Sequence, residues 1–167
     1  MAHNEPGGRA IQKDISSIHP SADEVMVALA APEDLPEIVR IEQASFSDSW
    51  SLKGFEDALR YSYSTMLCAK LGNAVVGYCC LYQVLDEGEI VNVAVAPEHR
   101  SRGIGRIMLD QLIARGKAKG VSRFLLDVRL SNLPAIRLYE GAGFKKLAVQ
   151  KNFYENPSED AWLMELA

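Results

Sequence analysis

The chain has 167 residues, 48% hydrophobic and 24% charged, which suits one domain with a proper core and an ordinary globular composition. Its net charge of −4 argues against a general nucleic-acid binder. No apolar run approaches the roughly 20 residues needed to cross a bilayer, and the opening Met1-Ala-His-Asn-Glu-Pro-Gly-Gly lacks the apolar core of a signal peptide. A cytoplasmic protein with no membrane partner is expected. Cys68, Cys79 and Cys80 make neither a zinc spacing nor a disulfide framework and read as core thiols rather than a nucleophile. His3, His19 and His99 are scattered, so no metal is expected.

Residues 1–22 mix Gly, Pro, Ser and charge with little periodicity and read as a mobile tail, leaving one domain over 23–167. A strand is predicted at 24–30. Residues 31–36 then open a helix to about residue 43, with acidic residues and prolines in its first turn and Leu35, Ile38, Val39 and Ile41 along it. The loop Phe46-Ser-Asp-Ser-Trp-Ser51 caps a second helix over 52–60. Strands at 65–71 and 74–84 form a hairpin around Gly72-Asn73, and a third strand, 89–96, ends at Pro97. A long helix ends near Gly120. The apolar strand 121–128 is expected inside the sheet. A short helix at 133–140 closes on Gly141 and Gly143, and strands 144–150 and 161–166 finish the chain. The order βαα, three strands, αβ, αββ describes an α/β domain with a mixed sheet. Cys79 and Cys80 should face opposite sides of one strand. The acidic stretches 86–89 and 155–160 are either solvated loops or attractors for a basic partner.

The most informative segment is Arg100-Ser-Arg-Gly-Ile-Gly-Arg106, between an apolar strand and a helix. Gly103 and Gly105 let the backbone approach a ligand closely. The first N–H groups of the new helix are unpaired, with the positive end of the helix dipole behind them. A pyrophosphate satisfies both. The loop lacks the Gly-Lys-Ser/Thr ending of a nucleotide-triphosphate loop, and Met108 stands where a dinucleotide fingerprint has its third glycine. By itself it is either an anion site or a basic turn with two convenient glycines.

A second constellation follows about 30 residues later: Leu126-Asp-Val-Arg-Leu-Ser-Asn132, then Ala135-Ile-Arg-Leu-Tyr-Glu-Gly-Ala-Gly-Phe144. Asn132 is a good N-cap residue, and Tyr139 lies seven residues on, about 10.5 Å along the axis on one helix face, with Ile136 between. An amide and a phenol on one line suit a long thin ligand, although a Tyr here could equally be a core aromatic.

The Arg/Gln-x-x-Gly-x-Gly/Ala pattern at Arg100, Gly103 and Gly105, with Asn-x-x-Ala-x-x-Leu-Tyr-x-x-x-Gly-Phe from Asn132, resembles the GNAT acetyltransferase superfamily over about residues 23–167. Within it the chain looks most like the bacterial ribosomal-protein alanine N-acetyltransferases. The residues that carry this are Phe46 with Trp50-Ser51, Leu85-Asp-Glu87, Asn92-Val-Ala-Val-x-Pro97, Asp127-Val-Arg-x-Ser-Asn132, and Asn152-Phe-Tyr154 followed by Glu159-Asp160-Ala161.

The resemblance implies the GNAT acyl-CoA N-acyltransferase fold, a central mixed sheet flanked by helices. It implies that Arg100, Ser101, Arg102, Gly103, Ile104, Gly105 and Arg106 grip the pyrophosphate of acetyl-CoA. Asn132 would hold the pantetheine arm, and the backbone of Val93, Ala94 and Val95 the acetyl and pantetheine groups. Tyr139 would face the thioester sulfur as the acid. Asp127 stands where these relatives carry a glutamate base, one methylene longer. It is read either as a base, direct or through a water, or as an orienter of the substrate ammonium that could pair with Arg129. The implied reaction is direct acetyl transfer, without metal, to the N-terminal amine, alanine, of a small-subunit ribosomal protein. A small amine, a polyamine or a lysine side chain as acceptor, and a non-catalytic acyl-CoA sensor, remain as other readings. Oligomeric state is left open.

Overall fold

A computed structural model describes residues 24–167, so the expected tail, with His3 and His19, lies outside the described residues. The chain runs β1 (Met26–Leu29), α1 (Leu35–Ser45), α2 (Leu52–Arg60), β2 (Ser64–Leu71), β3 (Ala74–Val84), β4 (Glu87–Val95), α3 (Ile104–Ala118), β5 (Arg123–Arg129), α4 (Leu133–Gly141), β6 (Lys145–Tyr154) and β7 (Glu159–Leu166). The order of elements is the one expected. The seven strands form one sheet, β1-β2-β3-β4-β5-β7-β6, antiparallel except where β4 meets β5. β5 has a strand on each side, so its apolar sequence does belong inside the sheet.

Several boundaries differ for identifiable reasons. The predicted helix start folds instead as a 3-10 turn over Pro32–Asp34, in which the Asp34 carboxylate accepts from Ala31 N–H at 2.8 Å and pairs with Lys70 at 2.7 Å. β4 begins two residues early because Glu87 and Gly88 pair with Val84 and Gln83 of β3 on one side and with Arg123 and Phe124 of β5 on the other; the Arg123 side chain reaches Glu87, at 3.2 Å, and Glu165. β6 continues to Tyr154 through a register shift after Gln150. Capping follows the sequence. Ser51 Oγ accepts from Gly54 N–H at 3.1 Å, a bond whose loss costs a helix about 1 kcal/mol.

The sheet carries a core on each face. One is built with Met108, Leu109 and Leu112 of α3 and Ile136 and Tyr139 of α4; the other with Leu35, Ile38 and Ile41 of α1 and Phe55 and Ala58 of α2. Each fully buried large aliphatic side chain contributes about 1.5–3 kcal/mol. Cys79 lies in the first core and Cys80 in the second, as strand alternation requires, and all three cysteines are buried and free.

The feature that shapes the site is a split in the middle of the sheet. β4 and β5 pair only at Glu87↔Arg123, Gly88↔Phe124 and Glu89↔Leu125. Just beyond, β3 pairs Leu81 with Ile90 but Cys80 with Asn92, leaving Val91 as an extra residue in β4. Such a bulge bends its strand and sharpens the local twist. β4 swings away from β5, and the two strands stay apart over the following residues.

Candidate active site

The direction of the β4 backbone decides what faces the split. Ala96 N–H bonds to Val76 O at 2.8 Å, across to β3. Alternate residues of a strand bond to alternate sides, so the N–H groups of Val93 and Val95 point the other way, into the gap. Arg100 Nε donates to Val95 O at 3.0 Å, as expected of an edge with no strand on it.

A cleft of about 550 Å³ runs along this gap. Val93, Ala94 and Val95 form one wall, Asn132, Ala135, Leu138 and Tyr139 of α4 another, and Arg100, Ser101, Gly103, Ile104, Gly105 and Arg106 the end. The loop is built for close approach. Ser101 and Gly103 have positive φ, 62° and 81°, and Gly103 caps α3 with no side chain. The first helical bond is Ile107 N–H to Gly103 O at 3.2 Å, so the N–H groups ahead of it are open to an anion. At Gly105 a Cβ would sit 3.3 Å from Leu138 Cδ2, so the glycine lets α3, α4 and β4 close around the loop.

The arginines divide their work. Arg100 bridges Val95 O and Ser45 Oγ, the latter at 3.1 Å, and so braces the loop against the end of α1. Arg106 lines the cleft while paired with Asp110 at 2.9 Å. Arg102 is not among the lining residues; its guanidinium lies against His99 Nδ1 at 3.4 Å. His99, which the sequence reading did not select, does line the cleft.

A second pocket, about 250 Å³, adjoins the cleft along β4, lined there by Ile90, Val91, Asn92 and Val93. The two share Val93 and Tyr139, with Ser45, Phe46, Asn132 and Ala135. Asp127 lies only in the second pocket, among Glu42, Asp48, Trp50, Asn92, Arg129 and Tyr154. Asn132 accepts from Ala135 N–H at 3.3 Å, confirming the N-cap. Tyr139 is 8% exposed and packs edge-on to Phe144, so it is a core aromatic and a lining residue at once.

Burial acts on the ionisable groups around the split. Burial, with Tyr154 and Cys79 adding to it, holds the Tyr139 phenol well above the ordinary tyrosine range, so it keeps its proton at neutrality. Burial also raises Asp127, partly offset by a hydrogen bond from Gln150. Arg129 does not pair with Asp127. It bonds Glu155 O and Pro157 O, both at 3.0 Å, pairs with Glu159 at 3.4 Å, and covers the Tyr154 ring at 4.3 Å. Glu89 is raised by burial and then by Asp127. Among the described residues Glu42, Asp48, Glu89 and Asp127 make no ion pair. The second pocket, lined by Glu42, Asp48 and Asp127 against Arg129, therefore holds more carboxylates than cations.

Glu42, Asn92, Trp50 and Tyr154 are the residues that sequence reasoning did not assign a role. One signal was present for Glu42: it falls on the apolar stripe of α1 with Leu35, Ile38 and Ile41, where a carboxylate is out of place. Among the described residues no group of three or more His, Cys, Asp or Glu is arranged to hold a metal ion, and no helix is long and apolar enough to cross a membrane.

A cleft ending on a helix N-terminus, running along a split strand to a buried phenol and meeting an acidic pocket, is the layout of an acyl-CoA-dependent transferase. The chain belongs to the GNAT acetyltransferase family: the profile described as "Acetyltransferase (GNAT) family" matches residues 35–144. It is 35% identical over 135 residues to the ribosomal protein bS18-alanine N-acetyltransferase of Escherichia coli (strain K12), spanning 80% of this chain and 90% of that protein. To the enzyme of the same name from Salmonella typhimurium it is 33% identical, over 84% and 95% of the two chains. Its fold matches the crystal structure of the ribosomal-protein-S18-alanine N-acetyltransferase from Escherichia coli with a TM-score of 0.78 at 31% identity, covering 85% and 92%.

Proposed function

We propose that this chain transfers acetyl from acetyl-CoA to the N-terminal amine, an alanine, of ribosomal protein bS18 or its counterpart. The observation that carries the reading is the meeting of the two pockets at Val93 and Tyr139, which lets a thioester and an amine reach one point from adjoining pockets. The relatives' names give the acceptor and weigh against a free amine or lysine side chain.

In this mechanism the pyrophosphate rests on the open N–H groups from Gly103 to Arg106, and the pantetheine arm lies along Val93–Val95 and the Asn132 side of α4. The substrate ammonium enters the acidic pocket and loses a proton to Asp127, directly or through a water. An α-amine with a pKa of about 7.7–8.0 needs only modest help. Its nitrogen attacks the thioester carbon, and the carbonyl oxygen becomes an oxyanion in reach of Val93 N–H, a fixed donor that needs no reorganisation. The C–S bond breaks, and Tyr139 gives its proton to the departing thiolate. The excess proton on the new amide nitrogen passes to the tyrosinate and restores the phenol, so the products are the acetylated amine, CoA as the thiol, and the one proton that Asp127 returns to solvent. Asp127, shorter than the glutamate of the relatives, retains an environment suited to a base, since burial raises its proton affinity.

The test is acetylation of N-terminal peptides of ribosomal proteins with acetyl-CoA, read by mass spectrometry beside free polyamines and a lysine peptide. Acetyl on the bS18 N-terminus alone is expected. Acetyl on the free amines alone would make this a small-amine enzyme. Binding of acetyl-CoA with no transfer at all would make it a sensor.

A further inference from the structure

We infer that Glu42 is a positioning residue for the transfer: its buried carboxylate holds the β4 bulge and the α1–α2 loop in the geometry that the oxyanion and the amine require. The inference rests on the acetyltransferase reading above.

Glu42 is 2% exposed, yet it borders the acceptor pocket. Its partners are neutral donors: Trp50 N–H at 3.1 Å and Asn92 Nδ2 at 3.3 and 3.2 Å from its two oxygens. A buried carboxylate without a cation is a poor device for stability, and an uncharged side chain of similar size would pack there at lower cost. Burial drives its pKa up to about 6 even with those hydrogen bonds opposing it.

What it holds explains its presence. Asn92 follows Val91, the extra residue of the bulge, and precedes Val93, whose N–H faces the thioester side of the split. Asn92 Nδ2 also lies 3.3 Å from Tyr78 Oη, so two buried groups fix one side chain. Trp50 anchors the loop 46–51 that walls the acceptor pocket, its ring packed on Phe55 and Tyr82 at 5.3 and 6.2 Å. One carboxylate therefore ties together α1, the acceptor wall and the residue next to the oxyanion donor. Protonation turns one acceptor oxygen into a donor facing the Asn92 amide and loosens the tie. The charged or titratable groups that share its surroundings are Asp48 of the loop, Tyr78 of β3, Asp127 and Arg129 of β5, and Tyr154 of β6.

The experiment compares wild type, Glu42→Gln, Asn92→Ala and the double variant, with the bS18 N-terminal peptide as acceptor. Glu42→Gln keeps the shape but sets an amide against the Asn92 amide. Its kcat should fall about tenfold to a hundredfold, the scale of a reacting group misplaced by an ångström, with acetyl-CoA affinity by calorimetry within twofold of wild type. The double variant should be no slower than the slower single one, because both break the same tie. Glu42→Gln should lose the component of the wild-type acid limb near pH 6 while keeping the limbs of Asp127 and of the amine. Unchanged kcat in Glu42→Gln, or losses that multiply in the double variant, overturn the role of Glu42 while leaving the acetyltransferase reading intact. Wild type that binds acetyl-CoA but acetylates no amine overturns both. If Glu42→Gln does not fold, Asn92→Ala carries the same kcat and affinity expectations.

Discussion

Tyr139 sits where both pockets meet, and burial keeps its phenol protonated. Tyr139→Phe should lower kcat by about 10²–10⁴ while leaving acetyl-CoA affinity nearly intact. An unchanged kcat would reduce the phenol to packing against Phe144. Asp127 poses the complementary question. If it takes the proton, Asp127→Asn loses most activity at neutral pH and regains part of it in alkali, where the amine deprotonates unaided, and Asp127→Glu is tolerated. If it only anchors an ammonium, Asp127→Asn raises KM and high pH brings no recovery. The pH–rate profiles of the two variants separate the cases, and its pairing with Gln150 rather than Arg129 leaves the carboxylate without a cation that would weaken it as a base.

Among the elements, the loop before α3 carries the sharpest expectation. Gly103 has φ 81° at the helix start, and a carboxylate there would occupy the place of an anion. Gly103→Glu should abolish acetyl-CoA binding, and wild-type affinity in calorimetry would remove the loop from the cosubstrate site. These local features were legible in the sequence because they are made by neighbouring residues: the glycines of the loop, the Ser51 and Asn132 caps, and the spacing from Asn132 to Tyr139. What was not legible depends on pairing at a distance. The Val91 bulge arises from the mismatch of β4 with β3, and nothing in Ile90-Val-Asn-Val-Ala-Val95 marks the odd residue. The side chains of Arg100 and Arg102 resemble each other in sequence but turn to Ser45 and His99, partners set by tertiary packing. The second pocket draws on Glu42, Trp50, Asn92 and Tyr154, from four separate segments.

At the scale of the whole molecule, buried carboxyls shape stability with pH in opposite senses. Asp34 is buried more cheaply: its ion pair and hydrogen bonds outweigh burial and lower its pKa. Its contribution is present above its unfolded value and is lost as pH falls. Glu42 rises from its ordinary 4.5 to about 6 on folding, so its contribution is full below 4.5 and is lost as pH climbs through 6. The loss is about 2 kcal/mol from that difference in proton affinity. Glu42→Gln should therefore gain stability relative to wild type between pH 4.5 and 7, measured by urea titration at each pH, and a constant difference across that range would contradict the burial cost. The split between β4 and β5 has a further consequence. Mid-sheet amides are ordinarily the slowest in a protein to trade hydrogen for deuterium, yet those of Val93 and Val95 face a gap instead of a strand. These two should exchange far faster than those of Ala94 and Ala96, then become protected when the cosubstrate is added, as the ligand takes the position of an absent strand. Under the proposed reaction, the sheet is completed by the molecule it consumes, and each turnover that releases CoA reopens its centre to water.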